Sequence, residues 1–217
     1  MQESVDSPLW WSQVEQETFS FKEPFHQPKA FGSDLFEESD VLNILRAMSR
    51  ANRQEVNLRV YIDSGLRHDY EILVLQNPPL AEESLEAWYK RIFSSNRFCI
   101  AINNAEKYFD TLTRRCALIY KSYLLEHPLP AGGVDMGIFM GNYEWTPFGV
   151  HHDGDGVSIL HFHAGPNAKT LYMWANDRFR ELTGSTDSYF SLGDIIEDAV
   201  AYELHKCSFF FMPEMYH

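Results

Sequence analysis

The chain has 217 residues, 45% of them apolar and 15% aromatic, enough to bury a sizeable core in one domain with a helical flank. Its 31 acidic and 18 basic side chains leave a formal net charge of −13, which argues against a nucleic-acid partner, because phosphate neutralisation needs clustered Lys and Arg. The scattered cysteines Cys99, Cys116 and Cys207 form no C-x-x-C pair, the opening "MQESVDSPLWW" holds no secretory apolar run, and no segment reaches the roughly 18 apolar residues of a membrane helix. A soluble cytoplasmic protein with no membrane partner is expected; a homodimer stays open.

Residues 1 to about 38 read as an irregular arm broken by Pro8, Pro24 and Pro28, packing on a core through Trp10, Trp11, Phe19, Phe21 and Phe25. From Asp40, a candidate cap, Val41, Ile44, Leu45 and Met48 repeat at helical spacing. "VNLRVYID" alternates as a strand, Ser64-Gly65 turns, and "YEILVLQ" reads as a second strand closed by Pro78-Pro79. Leu85, Trp88, Tyr89 and Ile92 mark a short amphipathic helix, and "CIAINN" a strand. Asn104 is expected to cap the longest helix, about 105 to 125, with Phe109, Leu112, Cys116, Ile119 and Tyr123 inward. Pro128 and Pro130 stop it, and Gly132-Gly133 loosen the chain. Beyond residue 133 the pattern changes to short strands, at about 135–141, 148–153, 157–163, 169–174, 199–204 and 207–212. One helix, about 176–183, ends at Gly184. Such close spacing suggests a β-sandwich or barrel. The expected organisation is therefore one α+β domain, with arm, helices and flanking strands over 1–133 and a mainly β core over 134–217.

Chemistry concentrates in "TPFGVHHDGDGVSILHFHAGPNAKTLYMW", residues 146–174, which holds four of the nine histidines. On a strand, His151 and Asp153 share a face while His152 points the other way. A wet hairpin tip is the bland alternative. Two imidazoles and one carboxylate with open positions suit non-haem Fe(II), so a third ligand is needed. His217, just beyond Pro213 in "CSFFFMPEMYH", is the candidate; His161, His163 and His205 compete. Asp155, between Gly154 and Gly156, reads as a turn residue, and Trp145 and Trp174 as core.

"TPFGVHHD", "AKTLYMW" and "FFFMPEMYH" together resemble the JmjC-type, cupin-like branch of the Fe(II)- and 2-oxoglutarate-dependent oxygenases. The resemblance covers 134–217 well and the N-terminal elements weakly. It implies a double-stranded β-helix, a cupin-like jelly roll with helical N-terminal elements. It implies iron ligands His151, Asp153 and His217, and Lys169 as the cation for the far carboxylate of 2-oxoglutarate. A charge-assisted bond to that carboxylate contributes roughly 1.5–3 kcal/mol. The H-x-H of His161 and His163 lacks the glutamate that accompanies it in ordinary cupins, so these two are expected to line the pocket or orient a ligand. The turn "HAGPNA" is longer than in the family. The family fold continues with a strand after the distal histidine, to be supplied here by the arm, a partner or a longer chain.

The activity implied is hydroxylation of a C–H bond with Fe(II), 2-oxoglutarate and O₂, on a peptide or protein side chain or an amino-acid-derived small molecule. Two other classes stay open: a cupin-like metal-binding module without turnover, and a metal-dependent enzyme that does not use 2-oxoglutarate.

Overall fold

Segments with a 3.6-residue apolar period and segments with a period of two succeed one another along the chain, and helices and strands form accordingly. The computed structural model describes residues 4–5, 7, 9–154, 156–185 and 188–217. The turn expected at Asp155 and the break at Pro8 lie outside these. In chain order the elements are α1 (Trp10–Glu17), β1 (Phe25–Gln27), α2 (Glu38–Met48), β2 (Leu58–Ile62), β3 (Gly65–Leu66), α3 (His68–Gln76), α4 (Leu85–Phe93), β4 (Phe98–Ile102), α5 (Asp110–Glu126) and β5 (Ile138–Gly141). They continue as β6 (Ile159–His163), β7 (Lys169–Met173), α6 (Asn176–Thr183), β8 (Val200–Leu204) and β9 (Ser208–Met212). The class is α+β. The described strands form three antiparallel sheets, ordered β1-β9-β6, β3-β2-β4-β5 and β7-β8, and none of them closes on itself.

The chain divides into two units, one of residues up to Leu35 together with Phe148–His217, the other of Phe36–Pro147. This boundary differs from the expected one near residue 134: β5 completes the β2-β4 sheet. In the Phe36–Pro147 unit, β4 is the central strand, and Phe98, Cys99, Ile100, Ala101 and Ile102 are all buried. Trp88 and Phe93 of α4, Ile44 and Met48 of α2 and Leu112 of α5 pack on it in a single apolar cluster. Phe93 lies flat on Phe98 at 4.0 Å.

In the other unit, β9 is buried on both faces because each face has its own cover. Phe209 and Phe211 meet Trp10 and Phe21, at 4.7 and 5.8 Å. Phe210 and Met212 pack with Leu171 and Met173 of β7 and Tyr202 and Leu204 of β8, which brings the two sheets of this unit together. Tyr172 and Trp174, on the opposite side of the β7 chain, pack with Phe179 of α6 and Ile195. α6 ends at Gly184, in the left-handed conformation at φ 69°, the C-terminal stop that the sequence signals.

Several expectations are corrected. "YEILVLQ" is helix α3, not a strand; Asp69 and Glu71 stand in its first turn, where acidic groups favour helix, and a short apolar run does not by itself separate the two periods. The arm is not irregular: Trp10, Trp11 and Val14 make the buried side of α1, and Trp10 Nε1–H donates to Gln27 Oε1 at 3.0 Å. Phe19 is 73% exposed and does not pack. Asp40 closes a capping box with Glu37 instead of capping alone. Asn104 sits in the left-handed region before a 3-10 turn, and α5 starts at Asp110. Trp145 is 47% exposed, unlike Trp174 at 2%. Segment 148–153 forms only an isolated bridge, Val150 to Tyr189. No helix of the described residues is long and apolar enough to cross a membrane.

Candidate metal centre

The segment bearing His151 and Asp153 is a loop pinned at both ends. Val150 exchanges two backbone hydrogen bonds with Tyr189, at 2.9 and 2.8 Å. Gly149 just before it has φ +70°, and a Cβ there would stand 2.6 Å from Tyr189 O, so only glycine fits. At the far end, Gly156 N–H donates to Glu214 Oε2 at 2.6 Å, and His152 Nε2–H donates to Glu214 O at 2.6 Å. "VHHDG" thus lies against "PEMYH", some 60 residues later.

Within this loop His151 Nε2 stands 3.3 Å from Asp153 Oδ1, both side chains a little over one-third exposed. The pairing of these two holds although the strand that was to produce it is absent. His151 Nδ1 is 2.9 Å from Gly149 O. A carbonyl only accepts, so Nδ1 carries a proton, while Nε2 faces the Asp153 carboxylate.

His217 is 7% exposed. It exchanges backbone hydrogen bonds with Trp174 at 2.9 and 3.0 Å, which seats it just past the end of β7. Its ring stacks on Phe179 at 4.1 Å, and His152 approaches to 5.3 Å. Asn176 Nδ2–H donates to Glu214 O at 3.2 Å, which turns Asn176 Oδ1 toward His217 Nδ1 at 2.8 Å. That nitrogen therefore donates, as His151 Nδ1 does to Gly149 O.

The donor chemistry of His151 and Asp153 fits a shared cation. Bonds of about 2.1 Å from one ion place neighbouring donor atoms about 3 Å apart, close to the observed 3.3 Å. Histidines held through Nδ1–H to an oxygen are also how metal ligands are usually oriented. Among the described residues, no three His, Cys, Asp or Glu side chains stand together as a ready-made metal group. The pair is preassembled; His217 is beside its neighbour His152.

Lys169 opens β7 and lies close enough to His161 and His163 to depress the pKa of both, with burial the larger cause in each. His163 Nε2–H donates to Asn167 O at 2.7 Å. His205, a competing ligand candidate, is exposed, 3.7 Å from Glu203. Two cavities, of about 330 and 200 Å³, are lined by residues between Arg46 and Pro147 and take no side chain from this region.

Sequence reasoning missed Asn176, Glu214 and Gly149. The first two act through carbonyl and amide groups brought in by tertiary contact and leave no motif. Gly149 was readable as a glycine two residues before the H-x-D. Comparisons with protein-family models, curated proteins and solved structures return no match for this chain.

Proposed function

We propose that the chain is an Fe(II)- and 2-oxoglutarate-dependent dioxygenase that hydroxylates a C–H of a peptide or protein side chain or of an amino-acid-derived small molecule. The observation that carries this reading is that His151 and His217 each place Nδ1 against an oxygen, with Asp153 3.3 Å from His151 Nε2. The fold proposed for the Phe148–His217 region is a double-stranded β-helix; two antiparallel sheets joined through Phe210, Met173 and Leu204, with "MYH" laid along the end of β7, support it.

In this reading His151, Asp153 and His217 hold the iron, which with bound 2-oxoglutarate supplies the oxidising chemistry. Gly149 O and Asn176 orient the two imidazoles. Lys169 holds the far carboxylate of the co-substrate. Leu171, Met173 and Phe210 pack as an apolar cluster, with Leu171 and Met173 on the side of β7 that Lys169 shares.

The test is conversion of 2-oxoglutarate to succinate by the purified chain with Fe(II) and O₂, followed by NMR. Asp153→Ala is expected to abolish it while the thermal melt stays in place. A wild-type chain that binds no divalent metal removes the basis of this reading. Metal binding without succinate favours the turnover-free module, a reading supported by the preassembly of only two of the three ligands.

A further inference from the structure

His151 and Asp153 lie in one loop and His217 far along the chain, and one residue touches the surroundings of both. Glu214 stands three residues before His217, and its carboxylate Oε2 accepts from the backbone N–H of Gly156, three residues after Asp153, at 2.6 Å. Its carbonyl oxygen accepts from His152 Nε2–H at 2.6 Å and from Asn176 Nδ2–H at 3.2 Å. Asn176 Oδ1 in turn accepts from His217 Nδ1–H at 2.8 Å. Glu214 thus meets the loop on either side of Asp153 and also the amide that orients His217.

The side chain of Glu214 does what no other group does for this loop. Before His151, the backbone bonds between Val150 and Tyr189 pin the chain. After Asp153, the carboxylate of Glu214 pins it. Gly156 presents its N–H from the left-handed region, at φ +78°, a conformation that glycine adopts without cost. A loop fixed at one end only regains conformational freedom, and that freedom is lost again when a ligand orders it, at the expense of affinity. The contact runs from a backbone N–H to a side-chain oxygen, so an acceptor of this reach is what it requires; glutamine supplies one and alanine does not.

We propose that Glu214 is a positioning residue: its side chain ties the loop of His151 and Asp153 to the segment of His217, so that a metal ion closes a site whose two halves are already held together. The inference rests on the reading of these three side chains as metal ligands, and it deepens that reading by assigning their assembly to a residue that acts through the loop and not on the metal.

Mn(II) binding by the full chain, measured by competition with a fluorescent chelator, tests it. Glu214→Ala is expected to weaken affinity by about 10–100-fold, while Glu214→Gln stays close to the wild type; thermal melts check that both variants are folded. NMR of the Gly156 amide supplies a readout that needs no variant: its proton is expected to be protected from exchange in the metal-free wild type, and the protection to be kept in Glu214→Gln and lost in Glu214→Ala. A Gly156 amide that exchanges freely in the wild type, or an alanine variant with unchanged affinity, overturns the positioning role and leaves the metal reading standing. A glutamine variant as weak as the alanine one does the same, since the charge of the carboxylate and not its acceptor would then be what the site uses. A folded wild-type chain that binds no Mn(II) overturns both.

Discussion

Ile100 and Phe210 occupy equivalent places, each in the middle of a central strand and each fully buried, yet their neighbours differ in kind. Ile100 is flanked across its sheet by Val60 and Met140. Phe210 is flanked by His26 and His161. The first row is dry, and its atoms contribute through burial and dispersion alone. The second keeps two imidazole nitrogens unpaired inside a core, which lowers stability.

The largest effect expected is on turnover. Asp153→Ala abolishes succinate formation but, being partly exposed, changes stability by no more than about 0.5 kcal/mol in a denaturant titration. The contrast between the two rows is broken next. Ile100→Ala costs about 2–5 kcal/mol of unfolding free energy, whereas His161→Leu replaces an unpaired buried group by an apolar one of similar size and leaves stability equal or higher. Equal losses in both variants would erase the distinction between the rows.

A third change addresses the loop without touching a ligand. Gly149→Ala brings a Cβ to 2.6 Å from Tyr189 O at φ +70°, strain of about 1–3 kcal/mol. Displacing Gly149 O also releases His151 Nδ1, so metal affinity falls by about 10–100-fold, measured by competition with a chelator. Unaltered affinity would show that the loop does not position His151.

The smallest effect is in the pH profile. His161, His163 and His26 all have pKa values below the ordinary 6.5, burial being the first cause in each. The unfolded chain then binds more protons than the folded one just below pH 6.5, so stability is full above that pH and declines as pH falls through it. Thermal melts between neutral and mildly acidic pH are expected to show this slope, shallower in His161→Gln.

Local chemistry was legible wherever a residue's role depended on its neighbours in the chain. α6 with its Gly184 stop, strands β6 to β9 and the helix of Leu85, Trp88 and Ile92 follow from period, cap and breaker. The H-x-D pair was legible too, though by a different route: His151 and Asp153 meet through a loop held by Gly149 and Glu214, not through strand alternation. The apolar run of α3 was not legible, because seven mostly apolar residues satisfy either period.

What the sequence by itself determined is the inventory: which residues carry imidazole, carboxylate and ammonium groups, and which short segments are helical or extended. Only the tertiary structure decided which of these meet. The proton on His217 is located by Asn176, 41 residues away, whose amide is in turn oriented by Glu214 O; the row His26–Phe210–His161 exists because three distant strands share one register. The physical reason is that a side chain's tautomer and charge depend on the dipoles and charges packed around it, and those arrive from parts of the chain that no local pattern connects.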